Sequence, residues 1–174
     1  MAERPPIHRG ETYVWKQEVR YLRPRLDVGL TFKKHVEHSI SQANAAISTL
    51  FCMMKKSSKI RTELKVHMYR TYIRPILTYA GTVFLNSSKA NLNKLQVTQN
   101  KCLRMALNKP YFMKISELHK DSKIPFIKDF ITKNAERFYD RAQNHSNSLI
   151  TPLGQYKTVP LPFRVKHRLP RPIN

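Results

Sequence analysis

Only four of the 174 residues are glycine. So little glycine argues against a Gly-rich phosphate loop and against a hairpin-rich all-β fold, both of which need left-handed backbone at many turns. Cysteine is equally scarce. Cys52 and Cys102 are too few for a disulfide framework or a cysteine zinc cluster. Both fall on the apolar side of a helical pattern and read as buried thiols in a reducing compartment. No apolar run approaches the 18 or so residues that a membrane span requires. The first thirteen residues are polar and include Glu3 and Glu11, unlike a signal peptide. The expected location is intracellular, with nucleus and cytoplasm both left open.

Acidic side chains are the next shortage, and their placement bears on catalysis. Metal-assisted nucleotidyl transfer holds two divalent ions with several converging carboxylates. The chain has four aspartates, Asp27, Asp121, Asp129 and Asp140, and no two are adjacent. They read as surface carboxylates. His35 and His38 lie one turn apart on a helical pattern, but no third ligand is near in sequence, so a structural or nucleic-acid-facing pair is the better reading. There is no nucleophile elbow and no Cys-nucleophile context. The expectation is no catalytic residue, no metal site and no cofactor in this chain.

What is abundant is positive charge. Lys and Arg number 32 against 11 Asp and Glu, a formal net charge of +21. A domain this basic repels itself unless a polyanion neutralises it, and nucleic acid is the commonest such partner. An anionic membrane surface is the rival. Lys55, Lys56, Lys59, Arg61 and Lys65 crowd one interhelical turn and the helix after it, with Glu63 the sole acid there. Arg70 and Arg74, four apart, should share a helical face. Lys94, Lys101 and Arg104 form a stripe further on. A charge run is ordinarily a solvated face. An excess this one-sided favours a phosphate-contacting surface.

Hydrophobic residues amount to 41%, enough for a core. Residues 1–13 have no periodicity and read as a loose tail. Residues 14–32 carry the strand formers Val14, Val19, Tyr21, Leu26 and Val28, and predict one or two short strands. Thr31 is the expected N-cap of a first long helix with the stripe Val36, Ile40, Ala43, Ile47, Leu50, Phe51 and Met54. A second is predicted over about Lys59–Tyr79, with Leu64, Met68, Tyr72, Ile76 and Tyr79 on one face and a kink or break near Arg74 imposed by Pro75. Gly81 is expected to end it. A third covers Asn91–Leu107, with Leu92, Leu95, Gln99, Cys102, Leu103 and Ala106 inward. Ser116–Asp121 predicts a short turn. A fourth long helix begins at Pro125 and ends near His145. Residues 146–174 hold five prolines and no acid, and read as an extended, mobile tail carrying Lys157 and Arg164.

Several strings then resemble a known family. Trp15 with Val19-Arg20-Tyr21-Leu22 and Leu26-Asp27 looks like the W…VKYLG…LD block of non-long-terminal-repeat retrotransposon reverse transcriptases, the jockey-like group in particular. Leu30–Val36 resembles the LTW-x-x-HI block that follows there. Tyr69–Gly81 resembles the Y-x-x-x-I-x-P-x-L-x-Y stretch, Leu95–Arg104 the LQ-x-x-QNK-x-LR stretch, and Leu118–Pro125 the LH-x-D-x-x-I-P block. The blocks run in order across about residues 14–150. The resemblance implies the end of the palm followed by the thumb and connecting helices, which clasp a primer–template duplex. It gives Tyr21 and Leu22 a primer-grip-like role. Magnesium and the polymerase aspartates belong to the family's palm, and the Tyr/Phe-x-Asp-Asp motif is absent from this sequence. Arg23 stands where the family has Gly, and Val83-Phe84 where it usually shows Trp.

Together these readings predict a mainly α fold: a bundle of about four long helices over residues 33–145, a small N-terminal β element and an extended C-terminal tail. The expected function is nucleic-acid backbone binding by a thumb-like piece of a reverse transcriptase, either a decayed copy or a truncated gene, with the palm and fingers as a further partner. Two alternatives stand beside it: a stand-alone basic RNA- or DNA-binding protein, and a basic structural or interaction protein.

Overall fold

The computed structural model describes residues 7–8, 11–12, 16–85 and 87–158. Within the stretch expected to be a loose tail, β1 (Ile7–His8) and β2 (Glu11–Thr12) pair antiparallel. The predicted strand region holds β3 (Glu18–Arg20) and β4 (Arg25–Asp27), a second antiparallel hairpin with Val19 opposite Leu26.

The hairpin leads into α1 (Lys33–Thr49). Its N-cap position is Phe32, in the left-handed conformation, and not Thr31. The backbone leading into the helix is held from the preceding strand. Asp27 accepts from the Thr31 backbone at 3.0 Å, the Thr31 hydroxyl at 2.8 Å and the Phe32 backbone at 2.8 Å. A carboxylate at this end also suits the helix dipole. After α1 a short helix α2 (Phe51–Met54) follows.

The second long helix is interrupted. It consists of α3 (Thr62–Met68), a π-helical turn (Tyr69–Ile73) and α4 (Arg74–Leu77), followed by α5 (Gly81–Phe84). Pro75 has no N–H to offer and its ring would collide with the carbonyl of Thr71. The widened turn just before it absorbs that mismatch, so the chain continues through the proline. The buried face matches the expected one only in part: Met68 is buried and Ile76 packs against the core. Val66, Tyr69, Ile73 and Leu77 are buried, whereas Leu64, Tyr72 and Tyr79 are exposed. Gly81 opens α5 and does not close α4: a Cβ there would lie 2.9 Å from the Ile131 side chain.

Next come α6 (Lys89–Leu107), capped by Ser88, whose hydroxyl accepts from the Asn91 backbone, then α7 (Ile115–Ser122) and α8 (Ile127–Gln143). Leu92, Leu95, Gln99, Cys102, Leu103 and Ala106 are all buried, as the stripe predicts. α6 is the central strut: it packs on α1 and α3 along one side and on α7 and α8 along the other. The fold is mainly helical, and three helices, α1, α6 and α8, reach 17, 19 and 17 residues. Cys102 is buried, but Cys52 is exposed, contrary to expectation, because the four-residue α2 turns only Met54 into the core.

Past His145 the chain is not extended throughout. A 3-10 helix (Thr151–Thr158) packs along α8, so closely that a Cβ on Gly154 would lie 2.5 Å from the Cβ of Gln143. The remainder of the expected tail, with Arg164, lies outside the described residues, as does the side chain of Lys157.

Candidate nucleic-acid interface

The C-terminal half of α6 and the turn between α2 and α3 face one another across an open groove of about 1020 Å³. Lys55 and Lys56 stand on one wall, Lys101, Arg104 and Lys109 on the other, with Phe51 and Tyr111 among the lining. Among the described residues no acidic side chain lines it. Lys101 and Arg104 are brought to one wall by helical spacing, and Lys56 and Lys101 are exposed. Like charges on facing walls reinforce one another, so the groove concentrates positive potential.

The other predicted cations divide by what they touch. Lys65 is buried and donates to the Lys55 carbonyl at 2.8 Å, so it ties down the turn that presents Lys55 and Lys56. Lys94 is paired with Glu37 at 3.0 Å. Lys59 and Arg61 are exposed beyond the groove lining. Arg70 is exposed and lines a separate, smaller cleft with Leu107 and Asp121. Arg74 places its guanidinium 4.1 Å from the centre of the Phe130 ring. Burial lowers its pKa, and the nearby Arg70 charge adds to that. The pair is therefore split between two environments by the π-helical turn.

At the hairpin tip, Tyr21 and Leu22 are largely exposed. Arg23 has φ of 81°, a conformation that favours glycine, so the departure from the family's Gly is accommodated at a cost in backbone strain. The Tyr79 hydroxyl donates to the Leu22 carbonyl at 3.0 Å, and Arg23 lies 5.1 Å over the Tyr79 ring. His35 is buried, with Nε2 3.2 Å from the Tyr79 carbonyl and 5.4 Å between its ring and that of Phe84. Burial lowers its pKa. Among the described residues no group of three His, Cys, Asp or Glu could hold a metal ion. No described helix is long and apolar enough to cross a membrane.

Sequence reasoning did not single out Lys109 or Tyr111, and it counted Phe51 as core. The available signal was Lys109-Pro110-Tyr111-Phe112, a cation and two aromatics after the last apolar stripe position of α6.

Comparison with curated proteins places the chain beside the RNA-directed DNA polymerases of mobile elements. It is 31% identical over 156 residues to the RNA-directed DNA polymerase from mobile element jockey of Drosophila funebris, an alignment covering 88% of this chain and 17% of that protein. The jockey polymerase of Drosophila melanogaster is 29% identical, over 89% of this chain and 17% of its own length. The probable polymerase from transposon X-element of the same fly is 27% identical, over 96% of this chain and 18% of its own length. The segment is thus homologous to part of the jockey-like non-long-terminal-repeat reverse transcriptases, the family read in the sequence blocks. The chain spans about a sixth of the length of the curated relatives it matches. No protein-family model and no solved structure matches it.

Proposed function

We propose that this reverse-transcriptase-derived segment binds the phosphate backbone of nucleic acid, with little regard to sequence, and has no polymerase activity or cofactor of its own. The observation that carries this reading is the groove whose walls bring Lys55, Lys56, Lys101, Arg104 and Lys109 together without an acidic side chain. Homology to polymerases that handle a primer–template supports it, and so does the net charge of +21. Arg104 is half-buried and Lys109 is paired with Asp121 at 2.9 Å, so Lys55, Lys56 and Lys101 are the freer groups.

The test is a salt titration of duplex affinity by fluorescence anisotropy. Each phosphate contact contributes about −0.9 to the log–log slope. Contacts from these three groups should give a slope of about −3. The double substitution K56Q/K101Q should lower it by nearly two units. Lys94→Gln, which breaks only a surface ion pair, should leave it within half a unit. A flat titration, or a slope indifferent to K56Q/K101Q, would overturn the reading. The same preparation with primer–template, magnesium and nucleotides should extend no primer, and chelator-sensitive extension would defeat the second half of the proposal.

A further inference from the structure

Beside the cationic walls sits a feature that phosphate binding does not use. Tyr111 and Phe112, in the loop after α6, are 86% and 76% exposed, although both are large and apolar. Their rings meet edge to face, with centroids 5.5 Å apart and planes at 83°. Such a contact orients one ring against the other and leaves a ring face bare to solvent. Tyr111 lines the groove, and so does the half-exposed Phe51.

The loop that presents Tyr111 is held at several points. Asn108 takes the left-handed conformation that ends α6. The Lys109 N–H then returns to the Arg104 carbonyl at 2.9 Å. Arg104 Nη2 donates to the Met113 carbonyl at 3.3 Å, and Lys109 binds Asp121 at 2.9 Å. Pro110 fixes its own φ, and its carbonyl accepts from the Met113 N–H at 3.3 Å. A loop held in this way loses little backbone freedom when its ring engages a ligand, a condition that favours binding by an exposed aromatic.

A phosphate chain carries a second kind of group, the base, and aromatic rings interleaved with cations match both. In an intact duplex each base is paired and stacked within the helix, so a protein ring can meet a base face only where a strand is unpaired. We infer that the groove takes single-stranded nucleic acid, with one unpaired base stacked on Tyr111 while the flanking phosphates meet Lys55, Lys56 and Lys101. This rests on the backbone-binding reading above and narrows it to a strand conformation.

Three labelled ligands separate the two proposals when titrated against the full chain at one salt concentration: a mixed-sequence single strand, an abasic strand with the same phosphates, and a duplex. The abasic strand reports the cations alone. The wild-type chain should bind the base-bearing strand about tenfold more tightly than the abasic one, the size expected for one stacked base. Tyr111→Ala should abolish that ratio, and Tyr111→Phe should keep it. The abasic affinity and the salt slope should change by less than twofold and less than half a unit. Because the ring is mostly in solvent, the alanine variant should retain its helical circular dichroism. If the ratio is one in the wild-type chain, or survives Tyr111→Ala, stacking is refuted while cationic binding stands. If Tyr111→Ala weakens all three ligands equally, the loop is only a scaffold for the cations and the proposal fails. If the abasic strand shows no salt-dependent binding, it is the backbone reading that falls.

Discussion

At Asp27 a single carboxylate takes three hydrogen bonds from Thr31 and Phe32 and so joins the hairpin to α1. Partial burial opposes its ionisation, but the bonds from Thr31 and Phe32 outweigh that and hold its pKa below the ordinary value of 3.8. A carboxylate with a depressed folded pKa contributes stability above its unfolded pKa, and that contribution is lost as pH falls through the folded value. Asp27→Asn should therefore be less stable than the wild-type chain at pH 7, by about 0.5–2 kcal/mol on the scale of helix caps. The gap should close towards pH 3, as read by urea unfolding at both pH values. A gap independent of pH would show that the charge is not what Asp27 contributes. Lys65 makes the same point about cations. Residue type alone puts it with the phosphate contacts, but its ammonium is spent on the Lys55 carbonyl. Lys65→Met should lower stability by about 1–3 kcal/mol, the range for a hydrogen bond from a charged group. Its effect on the salt slope should arise only through the loosened Lys55–Lys56 turn.

Among the elements, α6, α7 and α8 are locked by a polar cluster that fills the two family blocks around Gln96–Asn100 and His119–Pro125. His119 Nδ1 lies 2.7 Å from the Ile124 carbonyl, and Nε2 lies 3.0 Å from both Asn100 Oδ1 and Gln96 Nε2. Gln96 Oε1 accepts the Ile127 backbone N–H at 2.8 Å, and Gln99 donates to the Pro125 carbonyl at 3.0 Å. Phe126 stacks on the imidazole at 4.1 Å. These side chains set the start of α8 where no side-chain cap of its own is present. His119→Ala would leave the Ile124 carbonyl without its imidazole partner in the interior. It should cost about 2 kcal/mol. For a chain of this size that is a fall of about 4–8 °C in thermal midpoint, measurable by circular dichroism. A fall below 1 °C would mean that water replaces the imidazole without loss.

For the whole molecule, the N-terminal hairpin is the informative part. If its strands only await partner strands elsewhere, deleting residues 1–30 should leave the helices untouched. The contacts point the other way. Lys34 pairs with Glu18 at 2.7 Å, Tyr79 holds the Leu22 carbonyl, and Leu26 packs against the core. The deletion also removes Asp27. It should lower the thermal midpoint by several degrees, with a loss of about 2 kcal/mol or more from the missing cap and contacts. An unchanged midpoint would show that the helices bury one another without the hairpin.

The sequence alone determined the helical class, the inward stripe of α6, the basic character and the family resemblance. Each of these is written locally: a stripe needs only a period, a charge only a residue type, and a family block only its spacing. Three-dimensional packing decided the rest. In the Lys59–Tyr79 segment packing buried Val66, Tyr69, Ile73 and Leu77 together with the expected Met68, and left Leu64, Tyr72 and Tyr79 exposed, a choice of face that residue type alone does not fix. Pairing separated cations that look alike in sequence, committing Lys65, Arg74 and Lys94 to internal partners and leaving Lys56 and Lys101 free on a groove. That Tyr111 and Lys55, more than fifty residues apart along the chain, line one groove depends on tertiary packing, which no local period encodes.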